Sequence, residues 1–213
     1  MYTLLVRPAC EPIFNDKKLS LKAKGLAVTL AAKMARNGTT GSVQELLDAK
    51  ISTTGKHATY SGLKELLKAG HIIQTVIKSR EKLFKGTNYI FPLKKTMKPA
   101  PGIHSRQLTT LGQLLIDSNL SWKSKGIFTQ LIFLSRDTIT IHPLESFYSY
   151  SKDSEYSIAT GLKELTLNGY LDWRLVRDSK CTTIIFKLKN FDAARKKSRE
   201  DIKFWESFCR KYK

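Results

Sequence analysis

Polar and cationic side chains recur at helical spacing in the stretch that leads up to Gly70. His57, Ser61 and Lys64 are three or four residues apart, so a helix places them on one face. Leu63 and its apolar neighbours fall on the other face, which is therefore predicted to be buried. These polar side chains can donate hydrogen bonds, and Lys64 carries a positive charge. This pattern favours binding to a polar or anionic surface.

The chain around this face predicts how it is held. Gly70 follows the last periodic leucine and suits a helix C-terminus, because glycine tolerates the left-handed conformation needed there. The β-branched residues 72–77 then predict a strand. A helix with an open basic face, followed by a hairpin, is typical of the second half of a winged helix.

The same pattern occurs twice. Leu19–Leu26 matches Leu120–Ile127 at an offset of 101 residues, and Gly62–Leu66 matches Gly161–Leu165 at an offset of 99. Two matches in the same order with nearly equal offsets indicate a duplication. We call the two copies the first and the second repeat.

The predicted fold class is α+β, with two tandem winged-helix domains and a C-terminal amphipathic helix. The segment around Pro99 and Pro101 is polar and stiffened by proline, which places the boundary there. The predicted divisions are a first winged-helix domain at 1–95, a linker at 96–110, a second winged-helix domain at 111–191 and a basic amphipathic helix at 192–213.

Each repeat is predicted to contain a first helix, a short strand, a short second helix, a third helix and a hairpin. In the first repeat the long elements are expected near residues 21–35, 56–69, 72–77 and 88–93, with the hairpin tip at 78–86. In the second repeat they are expected near 122–134, 154–167, 170–176 and 182–188, with the tip at 177–181. Residues 111–116 fit either a strand or a helical turn, 138–141 a strand, and Pro143 the start of a helix.

The charge of the chain indicates a polyanionic partner. Its 213 residues carry a formal charge of +19, from 37 basic and 18 acidic residues. Residues 1–98 have a net charge of +12, residues 99–191 of +3 and residues 192–213 of +4. Nucleic acid is the first candidate and an acidic membrane surface the second. The first repeat and the tail are therefore expected to supply most of the attraction.

Other classes are disfavoured by what the sequence lacks. No apolar run approaches the roughly 18 residues of a membrane span. The three cysteines are widely spaced, which favours a reducing cytoplasm over a disulfide scaffold or a zinc site. No nucleotide-binding, nucleophile-elbow or metalloprotease motif is present, so we predict no enzyme activity and no cofactor.

Two sets of residues are predicted to contact double-stranded DNA. A helix in the major groove reads base edges, while other basic residues hold phosphate. The predicted helix contacts are Thr54, Lys56, His57, Tyr60, Ser61 and Lys64 in the first repeat, and Lys152, Tyr156, Thr160 and Lys163 in the second. The predicted phosphate contacts at the hairpin tips are Arg80, Lys82, Lys85, Arg177 and Lys180.

Each of these assignments has a plainer alternative. Any single lysine can be ordinary solvated surface, and Tyr60 can turn into the core three residues before Leu63. His57 lacks a partner at metal-ligand spacing, so no metal site is predicted. Asp153 and Glu155 would either repel phosphate or act as negative charges at a helix N-terminus.

The tail carries an apolar stripe on a basic helix. Its members are Ile202, Trp205, Phe208, Cys209 and Tyr212. We expect this stripe to pack against the second repeat or a second copy of the chain, although basic amphipathic helices also bind membrane surfaces.

Two motifs carry a family resemblance that covers about 75 residues of each half. Leu19–Leu26 resembles the opening of the winged-helix domain of phage replisome organisers and DnaD-type replication proteins. Gly62–Ile72 resembles the third helix and following strand of that family, and Gly161–Leu171 resembles them more closely. DnaD-type proteins follow one winged helix with a helical domain, whereas two tandem winged helices are similar to plasmid replication initiators.

The resemblance implies a cytoplasmic DNA-binding protein of a plasmid, phage or other mobile element, acting in replication initiation or organisation. Two alternatives stay open, a transcriptional regulator of such an element and a winged-helix module that binds proteins. A second copy of the chain, forming a homodimer, or a replication partner would then bind through the second repeat or the C-terminal helix. No membrane association is expected.

Overall fold

The computed structural model describes residues 12–37, 41–42, 47–48, 50–78, 84–90, 105–134, 149–177 and 182–188, with Lys203 and Ser207. Both halves contain helices and an antiparallel hairpin, in an α+β arrangement. The predicted strand at 138–141, the helix opened by Pro143 and the apolar stripe of the tail lie outside these residues. Lys203 and Ser207 are helical and exposed.

Apart from short helical stretches at 12–15 and 47–48, the described part of the first repeat contains two helices and three strands. They are α1 (Leu21–Asn37), β1 (Gly41–Ser42), α2 (Lys56–Lys68), β2 (Ile73–Lys78) and β3 (Phe84–Ile90). The strands form an antiparallel sheet in the order β1-β3-β2. Ile73 pairs with Ile90 and Val76 with Thr87, so α2 leads directly into the hairpin.

The long elements of the second repeat follow the same order of helix, helix and hairpin, preceded by one further long helix. They are α3 (Ser105–Ile116), α4 (Trp122–Leu134), α5 (Glu155–Leu167), β4 (Leu171–Arg177) and β5 (Thr182–Leu188). Leu171 pairs with Leu188 and Arg177 with Thr182, which closes the hairpin. Helix α5 has a true N-cap, because the Ser154 hydroxyl accepts a hydrogen bond from Ser157 N at 3.3 Å.

Glycines end α2 and α5 as the sequence predicts. Gly70 has φ 73° and Gly169 has φ 80°, in the region that favours glycine. His71 N donates to Leu66 O at 3.0 Å, and Tyr170 N donates to Leu165 O at 2.9 Å. These bonds join the residue after the glycine to the last helical turn, as in a Schellman motif. The prediction that Gly70 terminates the helix is confirmed.

The turn after α2 is also tied to the segment just before α1, and the turn after α5 to the segment just before α4. His71 Nε2 lies 2.9 Å from an Asp16 carboxylate oxygen, and the Tyr170 hydroxyl donates to Asp117 at 2.7 Å. Burial acts to raise the pKa of Asp16, but the bonds from His71 and from Lys18 N outweigh it and lower that pKa. Burial and Asp117 together raise the pKa of Tyr170.

Helices α1 and α4, one from each repeat, cross in direct backbone contact. A methyl group added at Gly25 would overlap the carbonyl oxygen of Trp122, and one added at Gly126 would overlap that of Leu21. The contact is reciprocal, since Gly25 corresponds to Gly126 and Leu21 to Trp122 at the 101-residue offset. Only glycine permits so close an approach at both positions.

The two repeats share one hydrophobic core around this crossing. The cluster runs from Phe14, Leu26 and Leu63 in the first repeat to Phe128 and Leu162 in the second. The Phe14 and Phe133 rings, which belong to different repeats, stack with their centroids 5.3 Å apart. The fold therefore buries apolar faces of the repeats against each other as well as within each repeat.

Three predicted boundaries differ from the structure. Strand β3 begins at Phe84, so Lys85 lies in a strand and not in the hairpin tip. Arg177 likewise ends β4, because its backbone pairs with Thr182. Helix α3 begins at Ser105, inside the segment predicted as linker, and makes residues 111–116 helical. Leu111, Leu114 and Leu115 are buried. This packing favours a helix for residues 111–116, which periodicity alone left open between a strand and a helical turn.

Candidate nucleic-acid interface

The outer face of α2 is polar, basic and exposed. The residues that turn inward are Thr59, Gly62, Leu63 and Leu66. Gly62 packs so closely that a Cβ atom added there would lie 3.3 Å from Leu26 Cδ2. The side chains predicted to read bases lie on the opposite face. Those exposed there are Lys56, His57, Tyr60, Ser61 and Lys64, followed by Lys68 in the last turn.

Tyr60 faces outward. Its side chain is 41% exposed, so the alternative of a core tyrosine does not hold. It lies near Tyr89 of β3, whose pKa is raised by burial and to a lesser extent by Tyr60. The face of α2 is thus continuous with the first hairpin, which places an aromatic ring beside the basic side chains.

The corresponding face of α5 is less open and less basic. Tyr156, Thr160 and Lys163 are partly buried, whereas Glu155 is exposed. The Thr160 hydroxyl accepts from Lys123 Nζ at 2.6 Å and donates to Ser157 O at 2.8 Å. Helix α2 contains three lysines and one glutamate, and α5 contains one lysine and two glutamates. The two equivalent helices therefore present different charges.

Thr54 and Asp153 hold the repeats together. The Thr54 hydroxyl accepts from Trp122 N at 2.9 Å, and Asp153 Oδ2 accepts from Leu21 N at 2.6 Å. Thr54 thus binds an otherwise unpaired N–H at the start of α4, and Asp153 binds one at the start of α1, each in the other repeat. Thr54 is therefore engaged inside the molecule, away from the exposed face of α2. Asp153 does act at a helix N-terminus, as one alternative held, but that helix belongs to the first repeat.

Two buried lysines lie beside the crossing of α1 and α4. Lys24 and Lys125 are both 0% exposed. Lys24 Nζ donates to Phe14 O at 2.8 Å and to Tyr150 O of the other repeat, while Lys125 Nζ donates to Leu115 O at 2.8 Å and to Ile51 O. Burial lowers the pKa of Lys24 to about 8 and that of Lys125 to about 7. These lysines were counted in the basic charge of the sequence, but they are internal.

Lys152 joins the first repeat, although it belongs to the second. Its Nζ lies 3.1 Å from Glu65 Oε2 on α2. Lys22 of α1 lies 3.8 Å from the other oxygen of Glu65, and its Nζ donates to the Ser61 hydroxyl at 3.2 Å. Sequence reasoning missed Lys22, because its position in the repeated first-helix motif marked it only as part of that helix.

The remaining predicted contacts fall mostly outside the described residues. Arg80, Lys82 and Lys180 are not among them, so their placement at the hairpin tips stays a prediction. Lys85 lies in β3 next to the irregular pairing at Ile77 and Lys78. Arg177 lies at the corresponding end of the second hairpin.

Within the described ranges, no group of three His, Cys, Asp or Glu side chains is arranged to bind a metal ion. Nor is any helix in that part of the chain long and apolar enough to cross a membrane. Comparison of the chain with protein-family models, with curated proteins and with solved structures finds no match.

Proposed function

We propose that this protein binds double-stranded DNA, with the exposed face of α2 in the major groove. The observation that carries the proposal is the stripe formed by His57, Tyr60, Ser61 and Lys64, which is exposed along one helix. Glu65, the acid of that helix, turns away to accept from Ser20 N at 3.0 Å. The groove admits an α-helix, and side chains of these types can bond to base edges.

The arrangement around α2 supports a winged helix in each repeat. In both, a first helix packs on a later helix that ends at a positive-φ glycine and leads into an antiparallel hairpin. In this proposal the hairpin tips, with Arg80, Lys82 and Lys180, approach the phosphate backbone. Lys85 and Arg177 would approach it from the adjoining strand ends.

Within this proposal the first repeat makes the main contact with DNA. Its half of the chain has a net charge of +12, against +3 for the second. The acids of α5 would oppose phosphate, so Lys163 and Tyr156 would make a weaker contact. The resemblance to phage and plasmid replication proteins assigns this DNA binding to replication of a mobile element, with transcriptional control as the alternative.

Selection of bound sequences from a random duplex pool tests the proposal. We expect enrichment of a defined motif, with an affinity that falls steeply as salt is added, because bound lysines release counterions. Failure to enrich any sequence, together with weak binding to duplex DNA at low salt, would refute it.

A second candidate function rests on α5. Its exposed Glu155 and partly buried polar side chains make a mixed surface that suits a protein partner better than phosphate. In this case the second repeat would dock a replication protein or a second copy of the chain. Partner binding that persists at high salt after loss of DNA binding would favour it.

A further inference from the structure

One carboxylate joins lysines from both repeats at the edge of α2. Lys22 of α1 and Lys152, just before α5, lie 3.8 Å and 3.1 Å from the two oxygens of Glu65. We call Lys22, Glu65 and Lys152 the seam cluster. It places an ammonium group of the second repeat beside the exposed helix of the first.

The charge of the seam cluster points outward. The Glu65 side chain is 17% exposed, whereas that of Lys152 is 51% exposed. Burial acts to raise the pKa of Glu65, but hydrogen bonds from Ser20 and Lys152 lower it below its usual value. The carboxylate is therefore ionised at neutral pH. Two lysines and one glutamate then leave a net charge of +1, with the positive groups nearer to solvent.

The seam cluster is continuous with the face proposed to bind DNA. Lys22 Nζ donates to the hydroxyl of Ser61, which is exposed on α2. An ammonium group has three donors, so a lysine that binds Glu65 can also bind a phosphate oxygen. The carboxylate orients the two lysines, and this reduces the side-chain entropy lost when an anion binds.

The duplication provides an internal comparison. Glu164, the counterpart of Glu65, accepts from Ser121 N at 2.8 Å, as Glu65 does from Ser20 N. The counterpart of Lys152 at the 99-residue offset is Thr53, whose N–H donates to Leu120 O much as Lys152 N donates to Leu19 O. The joint therefore forms with threonine as well as with lysine. The fold does not require the Lys152 charge, which is present only beside α2.

We propose that the seam cluster binds one phosphodiester group of a DNA duplex lying on α2, with Lys22 and Lys152 donating to it from different repeats. This rests on the proposed function and deepens it, because DNA binding by the first repeat then needs a residue of the second. Docking of the two repeats thereby completes the DNA site.

The test measures binding of the full chain to a fluorescent duplex by anisotropy, between about 50 and about 200 mM salt. The variants are Lys22→Gln, Lys152→Gln, the double variant and Lys152→Arg. Lys33→Gln is the matched control, since it removes the same charge from α1 eleven residues beyond Lys22, or about 16 Å along the helix. Thermal unfolding of each variant separates loss of folding from loss of binding.

We expect each single variant to bind roughly tenfold more weakly, the loss typical of one hydrogen bond to a charged group. The slope of log affinity against log salt should fall by about 0.9, which corresponds to one phosphate. Either single change already lowers the net charge of the seam cluster from +1 to zero, so the double variant should lose little more slope than either single variant. Lys152→Arg should keep most of the wild-type affinity, and Lys33→Gln should change the affinity little.

Other results overturn the shared site. If Lys152→Gln keeps wild-type affinity and slope while Lys64→Ala weakens binding, the seam cluster only joins the repeats and the proposed function stands. A double variant that loses twice the slope would show two separate phosphates. If Lys152→Arg binds as weakly as Lys152→Gln, charge is not the cause. A wild-type chain that fails to bind duplex DNA would end both proposals.

Discussion

Lys24 and Lys125 show how strongly context changes the meaning of a residue type. In the sequence they belong to a basic chain, and in the structure they bridge the repeats through backbone carbonyls. Burying a charged group is costly unless it is well paired, so burial favours the neutral form of both amines. The cost appears as the lowered pKa of both amines.

This lowered pKa predicts that stability depends on pH. Lys125 loses its proton near pH 7 when folded, against 10.5 for an ordinary lysine. Between these values the unfolded chain binds more protons, so the free energy of unfolding should rise with pH, by up to about 1.4 kcal/mol per pH unit for one lysine. The charges of Asp117 and Glu164 raise the pKa of Lys125 and so reduce this dependence of stability on pH. Lys24 adds to the rise above about pH 8.

Urea unfolding between neutral and mildly alkaline pH checks this prediction. The Lys125→Met variant should be less stable, because Ile51 O and Leu115 O lose their donor, and its stability should rise less with pH. Lys33→Met, at a partly exposed site, serves as the control. Wild-type stability that is flat or falls over this range would contradict the assignment.

The exposed lysines of α2 lead to a different prediction. Lys64 is exposed on the face proposed to read bases. Lys64→Ala should cost about 1–3 kcal/mol of binding free energy and relax the preference at one base position. A binding titration and a repeated sequence selection measure these two effects, with Lys33→Ala as control. An unchanged motif and an unchanged affinity would show that α2 does not read bases through this residue.

At the scale of elements, the crossing of α1 and α4 fixes the architecture. Gly25→Ala would normally stabilise a helix interior by about 1 kcal/mol. Here the added methyl group overlaps the Trp122 carbonyl, which is backbone and cannot turn aside. We expect a loss of about 3 kcal/mol or more, because the two helices must separate.

Gly112→Ala is the matched control for this prediction. It lies within α3, and among the described residues no atom outside that helix lies within 4 Å of the position its Cβ would take, so the substitution should be neutral or stabilising. Thermal unfolding of both variants gives the comparison. Equal unfolding temperatures for Gly25→Ala and wild type would mean that the helices do not cross in backbone contact.

At the scale of the whole molecule, the sequence predicted the local elements and not their partners. Helical periodicity and the helix-ending glycines placed α2, α4 and α5 to within a residue or two, since those signals are local. Nothing local indicated that Thr54 binds Trp122 N or that Trp122 Nε1 donates to Thr59 at 2.9 Å. Such contacts join residues more than 60 positions apart and depend on how the two repeats dock.

The candidate site divides in the same way. The exposed face of α2 follows from periodicity alone, which is why His57, Ser61 and Lys64 were predicted to share it. Lys152 was predicted as a helix contact of the second repeat, but it lies just before α5, and its position beside Glu65 could not be predicted without the other repeat. Thr54 had the residue type of a base contact, yet an unpaired N–H at the start of α4 takes its hydroxyl.

The shared core predicts that the repeats stay associated without a covalent link. A protease site inserted after Lys98, in the segment predicted as linker, would allow the folded chain to be cut. The fragments should elute together on gel filtration, because separation would expose Phe14, Phe128 and the apolar faces beside Gly25 and Gly126 to water. The nicked protein should also keep its affinity for duplex DNA, since Lys152 would remain beside Glu65.

In a Gly25→Ala background the fragments should separate and lose affinity together. Fragments that separate from the wild-type chain as stable monomers, with the first binding DNA as tightly as the parent, would contradict a single interdependent fold.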